Sequence, residues 1–266
     1  MDKRIPEPME RVSLGHFIEF RHVSIGFDDH LVLDNVSFFV DRGETCVILG
    51  RSGVGKSVSL KIVLGFLKPD SGRVLVAGED ITDWTEDQLS EIRRRVTMVF
   101  QSGALFDSLT VAENIAFPLE ERKDLSDEDK QARVAELAEM LEVGDVADKL
   151  PSELSTGTKR AVAIARALAQ DPQAILYDEP TTMVDPLMAL YTGDLILRLK
   201  EKFHKTSVVV THDTRLAKKL ADRVVFLHEG YVAYFGPWAG FEAAREPFLQ
   251  NFRRQDELIP ALDVTT

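Results

Sequence analysis

Residues Gly50 to Ser57 read GRSGVGKS, and every fixed position of the phosphate-binding pattern G-x-x-x-x-G-K-[ST] is filled. These residue types can hold a polyphosphate. Gly50, Gly53 and Gly55 let the main chain adopt positive φ and approach the anion. The amides of the loop, through Arg51, Ser52 and Val54, supply donors, and a helix opening at the loop points its positive end at the charge. Lys56 is placed to reach β- and γ-phosphates. Ser57, with Val58 closing the loop, is placed to offer a hydroxyl to Mg²⁺, a hard cation that takes oxygen ligands. A second group with chemistry ends the apolar run Ala174-Ile175-Leu176-Tyr177. There, Asp178 suits a Mg²⁺ shell and Glu179 suits polarising an attacking water. Two acids at the end of a buried strand are costly to desolvate without a use.

Positioning such groups requires strands that end together. Thr45 to Leu49 reads as a buried strand before the loop, and Val58 to Leu67 as the helix after it. Residues 17 to 40 alternate apolar and polar, broken by Gly26-Phe27-Asp28-Asp29, which gives a hairpin-like start. After a turn at Lys68 to Gly72, Arg73 to Ala77 reads as a strand. Thr85 with Gln88 has capping-box spacing for a helix to Arg95, and Thr97 to Phe100 returns to strand character. From Asp107 to Leu154 the pattern is helical, clearest after the Ser126 cap, where Val134, Leu137, Ala138 and Leu141 share a face. From Arg160 onward, helix and strand alternate: helix to Ala169, strand 174–177, helix 187–202, strand 207–210, helix 215–220 and strand 224–227. That alternation predicts an α/β chain with a largely parallel sheet covered on both faces.

The 266 residues carry a net charge of -12, which argues against a nucleic-acid surface; the run Arg93-Arg94-Arg95 reads as a solvated helix end. A single cysteine, Cys46, lies inside an apolar strand, so neither a disulfide framework nor a zinc site is expected, and a reducing compartment fits. The start MDKRIPEPMERV has no signal-peptide stretch, and no apolar run approaches the ~18 residues needed to span a bilayer. A membrane role therefore has to come through a partner.

The order of these landmarks resembles the ATP-binding cassette (ABC) ATPases over about Phe17 to Gly236. Phe27 falls where that family places an aromatic on adenine, and Gln101 where its Q-loop contributes to the metal and catalytic site. Leu154-Ser155-Thr156-Gly157-Thr158 sits at the signature. The Asp178-Glu179 strand, the D-loop at Thr182-Met183-Val184-Asp185 and the switch histidine His212 follow. The resemblance implies a P-loop NTPase fold with an ABC-type core: a RecA-like mixed sheet flanked by helices, an N-terminal antiparallel β subdomain and a helical insert. The implied limits are 17–240 for the ATPase domain, about 102–158 for the insert, and 241–266 for a C-terminal extension. It also implies ATP and Mg²⁺ as cofactors, with Ser57, Gln101 and Asp178 at the metal. Two chains would pair head to tail, so that Ser155 and Gly157 act across the dimer on the γ-phosphate while Glu179 and His212 position the water in cis, with Asp185 of the D-loop among the nucleotide-binding residues.

Two positions depart from the family pattern: Thr156 stands where a glycine belongs, and Met183 where Gly or Ala is usual. A β-branched residue resists φ > 0, so the loop is expected to be helical there or strained. Slow hydrolysis rather than lost ATP binding is the expectation. The stretch Phe100-Gln101-Ser102-Gly103-Ala104-Leu105-Phe106-Asp107-Ser108-Leu109, with Ser57-Val58 and Ala116-Phe117-Pro118-Leu119, resembles the Mla/MCE-type phospholipid transport ATPases. That likeness implies a separate permease touching Leu105, Phe106 and Leu109, an MCE-type lipid-binding protein in the same system, and a peripheral place on the cytoplasmic face of the inner membrane. Amino-acid importers are one rival reading, and soluble cassette proteins without a permease another. Phe241, Ala244, Phe248 and Phe252 have helical spacing, with Pro247 dividing the stretch into two short pieces; docking on their own domain is the preferred reading and bridging to the second subunit the other.

Overall fold

The computed structural model describes residues 15–257. The alternating N-terminal stretch forms two antiparallel strands, β1 (Ile18–Phe27) and β2 (His30–Val40). Asp28 turns the chain at φ 51, a left-handed conformation that aspartate tolerates better than most residues. Next come β3 (Thr45–Leu49), α1 (Lys56–Val63), β4 (Ser71–Val76), β5 (Glu79–Asp80), α2 (Glu86–Arg95) and β6 (Val96–Val99). The insert holds α3 (Val111–Ala116) and α4 (Asp127–Met140), and leads into α5 (Thr156–Ala169). The chain then alternates: β7 (Ala174–Asp178), α6 (Pro186–Phe203), β8 (Thr206–Thr211), α7 (Thr214–Leu220) and β9 (Arg223–His228). It closes with β10 (Tyr231–Pro237), α8 (Trp238–Ala243) and α9 (Pro247–Glu257).

Two sheets result. The smaller is antiparallel in the order β2-β1-β4-β5, and the larger runs β10-β9-β3-β8-β7-β6. Strands β9, β3, β8, β7 and β6 are parallel, and β10 closes the edge antiparallel to β9. Every residue of β3, β7 and β8 is buried, which is why these strands read as unbroken apolar runs. One core lies between the larger sheet and helices α3 to α9; the other joins its opposite face to α1, α2 and the smaller sheet. The parallel sheet covered on both faces is thus present, with one antiparallel edge strand that makes it mixed.

Several limits differ from the sequence reading. The first helix ends at Val63 rather than Leu67, because the chain leaves the helix through Gly65 at φ 68. Helix α5 starts at Thr156, before Arg160, since the Ser155 hydroxyl caps it by accepting from the Thr158 amide at 3.1 Å. Strand β10 was not expected; it follows Glu229 and Gly230, both at positive φ, the turn that joins antiparallel strands most closely. The capping box at Thr85 and Gln88 forms, and Arg93, Arg94 and Arg95 pair with Glu86, Glu91 and Glu79 at the solvated end of α2. The tail forms two short helices, the second opening at Pro247, where its missing amide is not needed. Phe241, Leu249 and Phe252 are buried in the larger core, and the Phe226 ring meets Phe252 edge-on at 4.9 Å. Residues 258–266 of the expected extension lie outside the described chain.

Candidate functional site

The carboxyl ends of β3, β7 and β8, neighbours in the larger sheet, bring the sequence-predicted groups together. This is the edge at which open α/β sheets bind ligands. From β3 the chain enters the glycine loop. Gly55 sits at φ 103, where a Cβ would come within 2.5 Å of a Leu33 methyl, so only glycine fits. Helix α1 then starts directly at Lys56, whose side chain is 5% exposed.

The three donors of the Lys56 ammonium are all occupied. Nζ donates to the carbonyls of Gly50 at 2.9 Å and Arg51 at 3.1 Å, and lies 3.0 Å from Glu179 Oε1. Glu179 Oε2 is met by the Thr182 hydroxyl and by His212 Nδ1, each at 2.9 Å. Beside this cluster the Ser57 hydroxyl donates to Asp178 Oδ1 at 2.7 Å, so the two oxygen donors expected at a metal share one point. His212 comes from the end of β8 and is followed by Asp213, whose carboxylate caps α7 by accepting from the Arg215 and Leu216 amides.

The two acids have opposite electrostatics. Burial raises the Asp178 carboxyl above the usual carboxylate range, with the Glu179 charge acting the same way against the hydrogen bond from Ser57. Burial also works against ionised Glu179, but the His212 hydrogen bond and the Lys56 charge outweigh it and hold its pKa at about 2. Because the folded value lies below the ordinary 4.5, ionised Glu179 stabilises the fold above pH 4.5, and that contribution is lost as pH falls toward 2. The expected result is that wild type exceeds Glu179→Gln in denaturant stability at neutral pH, with the gap closing over that acid range. A gap independent of pH would contradict it.

The Glu179 backbone carries strain. Its φ is 46, and Pro180 follows, although a residue before proline favours extended geometry. The amide is pinned by a 2.9 Å hydrogen bond to the Val210 carbonyl, which holds the bend that turns the side chain toward Lys56.

Other expected site residues stand apart from this cluster. Phe27 ends β1 and is 42% exposed. Gln101 lies in an exposed turn after β6 and, among the described residues, shares no hydrogen bond with Ser57 or Asp178. Ser155 and Gly157 open α5, with the Ser155 side chain exposed and Gly157 pressed against Met188 of α6. Asp185 caps α6 by accepting from the Met188 amide at 3.0 Å. Of the three apolar residues expected to face a permease, only Phe106 is exposed; Leu105 packs partly into the core, and Leu109 is half-buried.

The two departures from the family pattern resolve differently. Thr156 is the first residue of α5, so it is helical and needs no positive φ. Met183 is left-handed at φ 62 with its side chain 87% exposed. Replacing it with glycine removes that strain without losing packing, so Met183→Gly is expected to raise stability by about 1 kcal/mol in denaturant melts. A lower midpoint would contradict it. Sequence reasoning missed Thr182 and Arg160. Thr182 holds Glu179 through its hydroxyl, and its carbonyl accepts from buried Arg160 at 3.3 Å, tying α5 to the loop after the acids. The available signal was the placement of a hydroxyl three residues after Glu179.

The family model of the ABC transporter matches residues 33–182. The chain belongs to the ABC transporter family. It is 34% identical over 242 residues to the probable ribonucleotide transport ATP-binding protein mkl of Mycobacterium leprae, covering 91% of this chain and 70% of that protein. It is 38% identical over 235 residues to the methionine import ATP-binding protein MetN of Brucella abortus, covering 88% of this chain and 63% of that one. The dimeric structure of the bacterial ABC transporter cassette MJ0796 superposes at a TM-score of 0.75 with 35% identity, covering 83% of this chain and 98% of that one. A dimer of the same cassette in a post-hydrolysis state holds ADP and Pi. The structure of cbiO1 from Clostridium perfringens, part of the ABC transporter complex cbiONQ, superposes at a TM-score of 0.79 with 27% identity, covering 91% of this chain and 97% of that one.

This ABC chain is therefore an ATPase cassette with ATP and Mg²⁺ as its cofactors. The site fits them: a glycine cradle that a Cβ would fill, a buried ammonium, and a hydroxyl paired to a carboxylate. Cassettes of this family work as dimers with a separate membrane permease. Among the described residues no helix is long and apolar enough to cross a membrane.

Proposed function

We propose that this chain is the ATPase subunit of a transporter that moves phospholipid through a separate membrane permease, and that it acts as a homodimer at the cytoplasmic face of the inner membrane. The observation that carries the ATPase part is the convergence of Lys56, Ser57, Asp178, Glu179 and His212 at one sheet edge. Bound MgATP supplies the anhydride bond and the divalent charge. Lys56 and the loop amides would bind the phosphates, while Ser57 and Asp178, with Gln101, would hold the metal. Lys56 has no spare donor in the resting chain, so reaching a phosphate takes it away from at least one of Gly50, Arg51 and Glu179. Glu179, held in place by His212 and Thr182, would accept a proton from a water whose oxygen bonds to the γ-phosphorus as the bond to the bridging oxygen breaks and ADP leaves. Ser155, Gly157 and Asp185 of each chain complete the site of its partner, and Phe27 stacks on the base.

The permease reading is supported by a groove of about 600 Å³ whose wall includes Phe66, Phe100, Phe106 and Phe117, all exposed. Arg93 lies 4.6 Å from the Phe66 ring and Arg166 5.5 Å from that of Phe106, and with Glu120 and Glu121 they give an apolar lining with charges of both signs, suited to an interfacial helix. The phospholipid assignment rests on the run from Ser102 to Phe106, and it implies an MCE-type lipid-binding protein in the same system. The likeness to methionine import ATPases supports amino-acid import as a second reading. A gentle detergent pull-down of the tagged chain from its native membranes, with mass spectrometry of proteins and lipids, separates them. The expected result is a multi-span permease with an MCE-domain protein and phospholipid. An amino-acid permease, or no membrane protein, would overturn the lipid reading.

A further inference from the structure

A second groove, of about 900 Å³, lies on the helical insert between α3, α4 and the one-turn segment 144–146. Its lining differs from that of the groove walled by phenylalanines. Ala112, Ala116, Val134, Ala135 and Ala138 line it, so small side chains leave the space empty. Around them stand Glu113, Glu120, Asp127, Glu139, Glu142 and Asp145, against one cation, Lys130.

Two of these acids are engaged within the chain: Glu113 caps α3 by accepting from the Thr110 amide, and Glu142 pairs with Arg198. Glu120, Glu139 and Asp145 are exposed. An α-helix with its side chains is about 10 Å across, so a space of this volume takes about two helical turns. An apolar floor accepts the apolar stripe of such a helix, and the acidic rim selects its flanks. Anionic lipid and nucleic acid are repelled by the same rim.

We propose that this groove docks an amphipathic helix of a protein partner, one that presents aliphatic side chains to the alanine floor and Lys or Arg residues to the acidic rim. The site shares none of its lining with the nucleotide cluster and meets the phenylalanine groove only at Glu120, and it does not depend on which substrate the transporter carries. A protein bound there would clamp α3 and α4 to each other, which gives it a handle on the insert that carries the signature segment.

The test uses the full chain and a fluorescein-labelled peptide of about five helical turns, with leucines at helical spacing and lysines on both flanks. Fluorescence anisotropy is expected to give saturable binding that weakens with salt. The charge reversal Glu139→Lys with Asp145→Lys, and separately the groove-filling Ala135→Trp, are each expected to weaken binding ~10-fold or more. Both alter exposed positions, so folding is checked by an unchanged melt. The reversal Asp34→Lys with Glu201→Lys, made elsewhere on the exposed surface, should leave affinity unaltered. The proposal is overturned if a scrambled peptide of the same composition binds equally, if both pairs of reversals weaken binding alike, or if no saturable binding occurs.

Discussion

Glu179→Gln is expected to cut phosphate release by about 10³-fold while ATP remains bound, because the amide keeps the shape of the carboxylate but cannot take a proton from water. The resting geometry adds a second expectation. Lys56 is held 3.0 Å from Glu179, so removing the negative charge releases the ammonium for phosphate, and ATP should bind the variant at least as tightly as wild type. Phosphate release and titration with a fluorescent nucleotide read the two effects separately. Equal rates in wild type and variant, with the membrane partner supplied, would contradict the role of Glu179. Wild type itself should turn over slowly but measurably, given the left-handed Met183 in the loop after Glu179.

Lys56→Ala is expected to act in the opposite direction on binding. It removes the one buried cation of the glycine loop, and ATP affinity should fall by about 10²-fold, ~3 kcal/mol, in the range found when one partner of a buried charge pair is truncated. The variant also leaves Glu179 with only His212 and Thr182, so a loss of stability accompanies the loss of affinity. The double variant Lys56→Ala with Glu179→Gln separates these effects. Stability should recover in part, since no uncompensated carboxylate remains, while ATP binding should not. Full recovery of binding in the double variant would contradict a direct contact between Lys56 and phosphate.

These two residues show what the sequence made legible. The octapeptide, the strand ending in Asp178-Glu179 and the histidine after β8 are local patterns, and parallel pairing of β3, β7 and β8 brings them to one edge. Their resting partnership was not legible. That Lys56 would bond to Glu179, across 123 positions of sequence, depends on the bend at Glu179, whose positive φ before a proline runs against local preference. Met183 adopts a conformation its type disfavours, while Thr156 avoids one by joining a helix. Thr182 and Arg160 went unnoticed because each acts through a contact made by the fold: a hydroxyl to Glu179, and a buried guanidinium to a loop carbonyl. Helix limits moved where a glycine ended α1 early and a serine cap began α5 early. Strand β10 was overlooked although Tyr231-Val232-Ala233-Tyr234-Phe235 is an apolar run; as an antiparallel edge strand it is half-buried along its length and falls outside the helix-strand alternation that was followed.

A catalytic site completed by a second copy of the chain makes hydrolysis depend on pairing. Phosphate release per chain, followed over a dilution series with light scattering in parallel, tests it most directly. Specific activity is expected to fall on dilution as dimer is lost, and mixing Glu179→Gln with Ser155→Arg is expected to restore activity that neither variant shows alone. A specific activity independent of concentration in a monomeric chain, with no recovery on mixing, would contradict it.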